Sequence, residues 1–197
     1  MQGVAFVVVG WLIATLRGAL ARATSLSRTD SLTSLLNRRA FYEVAAQVLA
    51  LGRRYGHPVT LAYIDLDNFK TINDTQGHEA GDDTLRRAAE LLQRSIRRGD
   101  VAARFGGDEF VVLLPETGPA GAAPLLERLR SGMAETLDQK HKPITVTIGA
   151  IAFTMAPTDV EDLVRRADAA MYAAKAAGKN RVGLSLAEST TQTNAVL

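Results

Sequence analysis

The sequence contains no cysteine, which excludes a disulfide framework and any chemistry that depends on a thiolate. A strong charge of one sign is also missing: 23 Lys and Arg residues stand against 21 Asp and Glu residues, and they are dispersed along the chain. Nucleic acid is therefore not an expected partner. One uncharged apolar run, Gly3 to Leu16, is shorter than the roughly 20 residues that cross a bilayer. The 197 residues suffice for one domain with a substantial core and short appendages.

The most informative segment lies in the middle of the chain, where two short apolar runs flank a pair of glycines. Residues 101–114 are predicted to form a β-hairpin whose tip carries Gly106 and Gly107. Glycines can take positive φ and leave no side chain in the way, so a bulky phosphorylated ligand can approach the backbone. The next two residues, Asp108 and Glu109, are hard oxygen ligands that suit Mg²⁺. Taken alone, the same residues also fit a solvated turn with two surface acids.

A second candidate segment begins with a predicted buried strand. Asp65 and Asp67 lie two residues apart at its far end, hence on the same face. A strand end suits a metal ligand, because the sheet fixes the side chain while the loop beyond stays open. That loop is dense in polar side chains and glycine, and it precedes an amphipathic helix predicted over residues 82–98. Asp82 or Asp83 could cap this helix, and for Asp83 we expect capping rather than ligand binding.

The pattern along the chain predicts helices and strands without strict βαβ alternation. The predicted helices cover residues 37–55, 82–98, 120–139 and 159–178. The predicted strands cover residues 59–67, the hairpin 101–114, residues 144–153 and residues 180–184. A hairpin at the centre of this order indicates an α+β fold, with a mainly antiparallel sheet flanked by helices.

Four segments together resemble one known family. They are Asp30–Phe41, Asp65–Asp82, Arg104–Phe110 and Ala170–Val182, and they occur in the family's order. These segments are similar to the GGDEF-domain family of diguanylate cyclases, whose fold is similar to the palm of polymerases and nucleotidyl cyclases. The resemblance implies a catalytic domain over residues 29–184. The residues outside it predict an apolar N-terminal helix and linker over residues 1–28 and a flexible polar tail over residues 185–197.

The reaction that this resemblance implies is the condensation of two GTP molecules into cyclic di-GMP, with release of two pyrophosphates. Each domain would hold one GTP, and two domains would face each other as a homodimer. Mg²⁺ is the expected cofactor, with Mn²⁺ as an expected substitute. Two bound ions would offset charge on the attacking and leaving oxygens.

The matching positions imply roles for individual residues. The implied Mg²⁺ ligands are Asp65, the Leu66 carbonyl, Asp108 and Glu109. Asp108 also stands where the family's proton acceptor is proposed, although a carboxylate bound to Mg²⁺ is a poor base. Lys70 is implied as a cation near the phosphates that stabilises the transition state.

The implied nucleotide contacts come from several parts of the chain. Asn73 and Asp82 match the positions that recognise the guanine edge, and this pair would exclude adenine. The other implied substrate-binding residues are Phe69, His78, Gly106 and Gly107, together with Lys175 and Lys179 as phosphate contacts. For His78, a helix-start histidine bonded to local backbone stays an alternative. Lys179 departs from the family, which more often has arginine there; lysine keeps the charge and loses the bidentate fork, so a looser phosphate contact is expected.

Arg97 and Asp100 fit the RxxD motif through which many members of the family bind their own product. Arginine suits this role, because it can fork onto phosphate and stack on guanine. Basic residues followed by Gly99 are also ordinary at the C-terminus of a helix. The spacing to Gly106 matches the family and favours product binding, hence product inhibition.

Three functions remain open on the sequence. An active diguanylate cyclase is favoured, because the residues at the metal, base and guanine positions are all present. A receptor that binds cyclic di-GMP without turnover would be indicated by a changed Asp108 or Glu109, and neither is changed. A cyclase of another purine nucleotide is disfavoured by Asn73 and Asp82.

The N-terminal apolar run has several explanations. It is followed by three arginines with no acid before Asp30, a charge excess typical of a cytoplasmic flank. It fits the end of a membrane helix or a tilted membrane anchor; a signal-peptide core fits poorly, because no basic residue precedes it. A dimerising helix built on its leucines is the soluble alternative. We expect membrane contact through residues 3–16 and a catalytic domain on the cytoplasmic side of the inner membrane.

Overall fold

The computed structural model of the chain describes Trp11, residues 27–137 and residues 144–187. Within these ranges the chain forms six strands and five helices. The strands are β1 (Leu36–Asn37), β2 (Val59–Leu66), β3 (Val101–Gly106), β4 (Glu109–Pro115), β5 (Val146–Phe153) and β6 (Val182–Ala187). The helices are α1 (Arg38–Tyr55), α2 (Phe69–Gln76), α3 (His78–Ser95), α4 (Pro119–Leu137) and α5 (Val160–Ala176).

These strands form one mixed sheet in the order β1-β3-β4-β2-β5-β6. The central strand β2 pairs antiparallel with β4 on one side and with β5 on the other. β3 and β4 form the predicted hairpin, while the two outer pairs, β1 with β3 and β5 with β6, are parallel. The predicted α+β fold with a mainly antiparallel sheet is therefore confirmed.

Helices cover both faces of this sheet. Side chains of β2 alternate between the faces: Ala62 and Ile64 pack with α2, α3 and α4, whereas Leu61 and Tyr63 pack with α1 and α5. Every residue of β2 is buried, which explains why its sequence is mostly apolar up to Asp65. The strand therefore runs through the centre of the core and ends at a carboxylate.

Helix α5 approaches the sheet closely at one glycine. A Cβ on Gly149 of β5 would lie 1.8 Å from the backbone nitrogen of Met171, so only glycine permits this contact. Asp159 caps the start of the helix by accepting a hydrogen bond from the Glu161 backbone N–H at 2.8 Å. The close approach brings the last turn of α5, which carries Lys175, to the end of β2.

The segment between β2 and α3 differs most from its prediction. Helix α2 is not anticipated by the sequence pattern, and α3 begins at His78 rather than at residue 82. Gly77, with φ of +85°, separates the two helices. Asp83 consequently lies inside α3, where it pairs with Arg87 at 2.7 Å. The prediction that Asp83 caps the helix is wrong.

Other bounds differ by a few residues at the ends of elements. α4 is described as far as Leu137, and residues 138–143 lie outside the described ranges. β6 begins at Val182 and runs to Ala187, so residues 185–187, predicted as tail, pair with β5 instead.

The expected membrane contact through residues 3–16 lies outside the described residues, apart from Trp11, and so do residues 188–197. No helix in the part of the chain that the structure describes has the length and hydropathy of a membrane span. The N-terminal assignment therefore stays a prediction.

Candidate active site

Asp65 lies at the C-terminal end of β2, where the tip of the β3–β4 hairpin and the end of α5 meet. The residue is only 6% exposed, and its Oδ1 lies 2.7 Å from Nζ of Lys175. The Leu66 backbone N–H donates to the Asp108 carbonyl at 3.3 Å, which holds the hairpin tip against the end of β2. Three residues with predicted metal or phosphate roles, Asp65, Asp108 and Lys175, thus come together from distant parts of the chain.

Burial dominates the electrostatics of Asp65. Loss of hydration raises the pKa of this carboxyl to about 6; the hydrogen bond from Lys175 opposes the rise, and the nearby charge of Asp108 adds to it. The carboxyl is therefore mostly ionised at neutral pH, beside one cation and one further carboxylate. A perturbed carboxyl with such specific partners is typical of a functional site.

Glu109 pairs with Asp65 across the antiparallel strands β4 and β2. Its Oε2 accepts a hydrogen bond from the Tyr63 hydroxyl at 2.9 Å. Burial, followed by the charge of Glu109, raises the pKa of the Tyr63 phenol, so the phenol stays a neutral donor. Nothing in the sequence pattern distinguishes Tyr63 from the other strand residues, and its contact with Glu109 is therefore absent from the prediction.

Two glycines shape the hairpin tip. Gly106 and Gly107 have φ of +150° and +50°, and a Cβ on either would meet no described residue within 4 Å apart from its chain neighbours. Their backbone conformation, rather than a lack of space, therefore requires glycine. The open space beside both glycines agrees with the predicted approach of a ligand to this backbone.

Arg104 and Asp30 fix this tip from the start of the domain. The Arg104 guanidinium donates to the Gly107 carbonyl at 2.8 and 3.1 Å and to Oδ1 of Asp30 at 3.1 Å. The same Asp30 oxygen accepts hydrogen bonds from the backbone N–H and the hydroxyl of Thr33, at 2.9 and 2.7 Å. Partial burial raises the pKa of Asp30, but the hydrogen bonds from Thr33 and Arg104 outweigh it and hold the pKa below its usual value. An ionised Asp30 thus anchors the arginine that shapes the tip.

Helices α2 and α3 bring together the residues that are predicted to recognise guanine. A Cβ on Gly81 would lie 2.0 Å from Oδ1 of Asn73, so the Asn73 amide rests directly on the backbone of α3. Asp82 follows Gly81 in the same helix and is partly exposed. His78 is the first residue of α3, and its exposed side chain makes no hydrogen bond with a described residue. The amide and the carboxylate thus lie on adjoining helices, where both can meet one base edge.

The other predicted contacts surround the loop that follows β2. Lys70 is exposed in the first turn of α2, and Nζ of Lys179 donates to Oδ1 of Asn68 at 2.9 Å. Phe69 is 8% exposed and belongs to the core, where its Cζ lies 3.2 Å from the Cβ position of Gly81. Lys70 and Lys179 are therefore accessible to a ligand, whereas Phe69 supports the site from inside.

The predicted metal ligands suit a hard divalent cation by their chemistry. Asp65, Asp108 and Glu109 are carboxylates, and the Leu66 carbonyl adds a neutral oxygen. Among the residues that the structure describes, no three His, Asp or Glu side chains already converge as a cation cage. The Lys175 ammonium instead contacts the Asp65 carboxylate. This pairing shows that positive charge is accommodated at Asp65, and the donor set fits Mg²⁺.

Arg97 and Asp100 lie at the opposite end of the hairpin, in the loop between α3 and β3. Nε of Arg97 lies 3.0 Å from Oδ1 of Asp100, and Nη2 donates to the Pro115 carbonyl and, at 2.9 Å, to the Thr117 hydroxyl. The Asp100 side chain is 3% exposed, whereas that of Arg97 is 58% exposed. The Arg97 guanidinium bonds to Asp100, Pro115 and Thr117, all outside α3, so these contacts favour a role in the loop over capping of the helix. A buried carboxylate holds an exposed guanidinium in place.

A further arginine lies beside this pair. Arg128, on α4, lines the same groove as Arg97 and Asp100, and it donates to the Ser95 carbonyl at 3.2 Å. The sequence analysis does not include Arg128, because α4 shows only helical periodicity there. Two arginines in one groove suit an anionic ligand.

The chain is similar in sequence to known proteins. Residues 27–181 match the family model described as "Diguanylate cyclase, GGDEF domain". The chain is 43% identical over 156 residues to diguanylate cyclase DgcP of Pseudomonas aeruginosa and 40% identical over 172 residues to response regulator PleD of Caulobacter vibrioides. These alignments cover 78% and 85% of this chain, but they span only 23% and 38% of the two relatives.

A solved structure has a similar fold. The GGDEF domain of DgcB from Caulobacter crescentus, in complex with c-di-GMP, matches with a TM-score of 0.73 at 34% identity, over 80% of this chain and 92% of that one. The family match, the identities and the shared fold agree with the resemblance carried by the four sequence segments. The chain belongs to the GGDEF-domain family of diguanylate cyclases.

Proposed function

We propose that residues 29–184, extended to the end of β6 at Ala187, form the catalytic domain of a diguanylate cyclase, which condenses two GTP molecules into cyclic di-GMP. The observation that carries this proposal is the buried Asp65 carboxylate, paired with Lys175 beside the hairpin tip at Asp108. Hard oxygen ligands, a cation for phosphate and an open glycine backbone lie together there. The relative DgcP, named a diguanylate cyclase, and the DgcB domain in complex with c-di-GMP support the same activity.

The guanine base is assigned to the junction of α2 and α3. Asn73 and Asp82 offer an amide and a carboxylate to the ring N–H and the exocyclic amine of guanine, with His78 close by at the start of α3. Adenine would leave these groups unpaired, so ATP should bind much more weakly than GTP.

The triphosphate is assigned to the hairpin tip and the end of α5. The backbone at Gly106 and Gly107 is open to a ligand, and Lys175 and Lys179 supply positive charge from the other side. The lysine at position 179 makes single contacts rather than a bidentate fork, so its share of phosphate binding should be moderate.

Asp65, the Leu66 carbonyl, Asp108 and Glu109 would hold Mg²⁺, or Mn²⁺ in its place. When bound, the metal supplies positive charge beside the reacting phosphate. Tyr63 already orients Glu109 through its hydroxyl, so this carboxylate loses little freedom on binding an ion.

The protein side chains have two tasks in the reaction. Lys70 and Lys175 stabilise the negative charge that develops on the phosphate. As the 3′-hydroxyl oxygen attacks the α-phosphorus of the GTP in the facing domain and pyrophosphate leaves, the hydroxyl proton is assigned to the Asp108 carboxylate. Contact with Mg²⁺ makes this carboxylate a weak base, so its main task is to hold the metal. Because one domain presents one nucleotide site, two domains must face each other as a homodimer. A lone domain should be nearly inactive.

The product also acts as an inhibitor, through Arg97 and Asp100. The buried Asp100 carboxylate pre-orients the Arg97 guanidinium, whose exposed face can fork onto phosphate or stack on guanine. Arg128 adds a second cation to the same groove. Because GTP is an intracellular substrate, the domain is assigned to the cytoplasmic side of the inner membrane, with residues 3–16 as the membrane contact.

Chromatography of the products formed from GTP and from ATP tests this function. The reactions contain Mg²⁺ and either the wild-type protein or its Asp108→Ala variant. We expect cyclic di-GMP only in the reaction that contains both GTP and the wild-type protein. The Asp108→Ala variant and the reactions with ATP should give little or no cyclic dinucleotide. A cyclic dinucleotide formed from ATP at a similar rate would contradict the guanine assignment. No product from the wild-type protein, with tight binding of added cyclic di-GMP, would indicate a receptor instead.

A further inference from the structure

Asp67, the second carboxylate at the end of β2, is enclosed by hydrogen-bond donors. It is 2% exposed, and it accepts hydrogen bonds from the hydroxyls of Thr145 and Thr147, at 2.7 and 2.8 Å, and from the Asn180 backbone N–H at 3.1 Å. These donors are all uncharged groups of the protein itself. A buried carboxylate is costly unless such bonds compensate it. Asp67 therefore has a different task from Asp65, whose partners are charged.

The turn over residues 177–181 depends on partners outside itself. Lys179 and Asn180 have φ of +58° and +44°, a left-handed conformation that residues with side chains rarely adopt. The Asn180 backbone donates to Asp67, and its side-chain Oδ1 accepts from Arg130 of α4 at 2.6 Å. Such a conformation persists where the surroundings determine it, and Asp67 supplies the contact on the side of the active site.

This turn carries one proposed phosphate ligand and follows another. Nζ of Lys179 donates to Oδ1 of Asn68, the residue after Asp67, and Lys175 lies one helical turn earlier in contact with Asp65. Given the proposed function, we infer that Asp67 is a positioning residue. It holds the turn that carries Lys179, and this turn places the triphosphate end of the bound nucleotide correctly relative to Asp65. Its effect depends on its acceptor oxygens rather than on its charge.

Two substitutions of Asp67 distinguish an effect of its acceptor oxygens from an effect of its charge. Asp67→Ala removes one of the two acceptors of the Asn180 N–H and leaves only the Thr147 hydroxyl, at 3.2 Å. Asp67→Asn keeps one oxygen that can accept from it. Calorimetry with 3′-deoxy-GTP, which cannot condense, and with 3′-deoxyguanosine measures binding with and without the triphosphate. We expect Asp67→Ala to raise the Kd of 3′-deoxy-GTP about tenfold, because a misplaced binding group loses most of its value. The Kd of 3′-deoxyguanosine should stay unchanged, and Asp67→Asn should bind both ligands like the wild-type protein.

The matched control is Asp83→Ala, which removes a carboxylate that pairs with Arg87 on the surface of α3. It should leave both Kd values unchanged. Amide hydrogen exchange at Asn180 gives a readout that needs no nucleotide: exchange should be faster in Asp67→Ala than in the wild-type protein or the control. If Asp67→Ala does not fold, Thr147→Val serves, since it removes one hydroxyl that contacts both Asp67 and the Asn180 N–H. A smaller rise in the Kd of 3′-deoxy-GTP is then expected.

Three results would overturn the inference. An equal loss of affinity for 3′-deoxy-GTP and 3′-deoxyguanosine would indicate a general structural role. A loss in Asp67→Asn as large as in Asp67→Ala would indicate that the charge itself matters, as for a metal ligand. Unchanged binding in a variant whose Asn180 amide exchanges faster would show that the turn does not position the triphosphate. If the wild-type protein binds no 3′-deoxy-GTP at all, the proposed function fails and this inference fails with it.

The double variant Asp67→Ala/Lys179→Ala tests whether Asp67 affects triphosphate binding through Lys179. If Asp67 acts through Lys179, the double variant should bind 3′-deoxy-GTP about as weakly as Lys179→Ala alone. Additive losses would instead place the action of Asp67 elsewhere.

Discussion

The contact between Gly81 and Asn73 allows the guanine assignment to be tested with one added methyl group. In Gly81→Ala the new Cβ would lie 2.0 Å from Oδ1 and 3.0 Å from Cγ of Asn73. The Asn73 amide must then move by about 1 Å, since carbon atoms do not approach an oxygen within about 3 Å. The Phe69 ring, 3.2 Å from the same Cβ position, restricts the directions in which the helices can adjust.

The expected change in stability is small, because two effects oppose each other. Alanine in a helix interior is better than glycine by about 1 kcal/mol, whereas overpacking costs about 1–3 kcal/mol. The net loss should lie between about 0 and 2 kcal/mol, or a few degrees in Tm for a chain of this size. The effect on GTP binding should be easier to detect than the change in stability. A loss of about 2 kcal/mol of hydrogen bonding to guanine weakens GTP binding about 30-fold.

Competition binding with GTP and ATP, together with thermal melting, measures both effects. Gly132→Ala is the matched control, because a Cβ there would lie 3.6 Å from Leu91 Cδ1, an ordinary contact. That variant should gain about 0.5–1 kcal/mol of stability from the same helix effect and bind GTP like the wild-type protein. If Gly81→Ala keeps both its GTP affinity and its preference over ATP, Asn73 does not recognise guanine and the assignment is refuted.

Three other predictions follow from the same site and its surroundings. Asp108→Ala should lower turnover by at least about a thousandfold and leave Tm nearly unchanged; wild-type rates would refute the metal assignment. Arg97→Ala should raise the cyclic di-GMP concentration for half-inhibition about tenfold, with Arg98→Ala as the control; unchanged inhibition would exclude the RxxD site. Burial raises the pKa of Asp65 to about 6, and Mg²⁺ needs the ionised carboxylate. Metal affinity should therefore be constant above pH 7 and fall about tenfold per unit below pH 6; calorimetry that finds no such decrease would contradict this role.

The sequence predicts the parts of this site that depend on local pattern. Asp65 could be placed at a strand end because β2 is a continuous buried strand, and the hairpin tip could be placed because Gly106 and Gly107 separate two apolar runs. The continuous apolar runs of these strands indicate burial directly. The resemblance to one family then supplied roles that no local pattern contains.

Features that depend on contacts between distant segments could not be predicted in this way. The segment after β2 has no apolar run long enough to indicate a helix, so α2 is missing from the prediction and the start of α3 is misplaced. Spacing shows that Asp65 and Asp67 share a face, but it does not show that one meets Lys175 and the other meets Thr145. Tyr63 likewise resembles its apolar neighbours until Glu109 is placed opposite it. These distinctions arise only when the sheet order brings the segments together.

The most direct test of the central claim is the rate of cyclic di-GMP formation from GTP and Mg²⁺, measured by chromatography over at least a tenfold range of protein concentration. If two facing domains each contribute one GTP, the rate per protein molecule should rise with concentration until the dimer is saturated. A rate per molecule that is already constant at the lowest concentrations, where the protein sediments as a monomer, would contradict the account. The absence of any product at every concentration would contradict it more fundamentally.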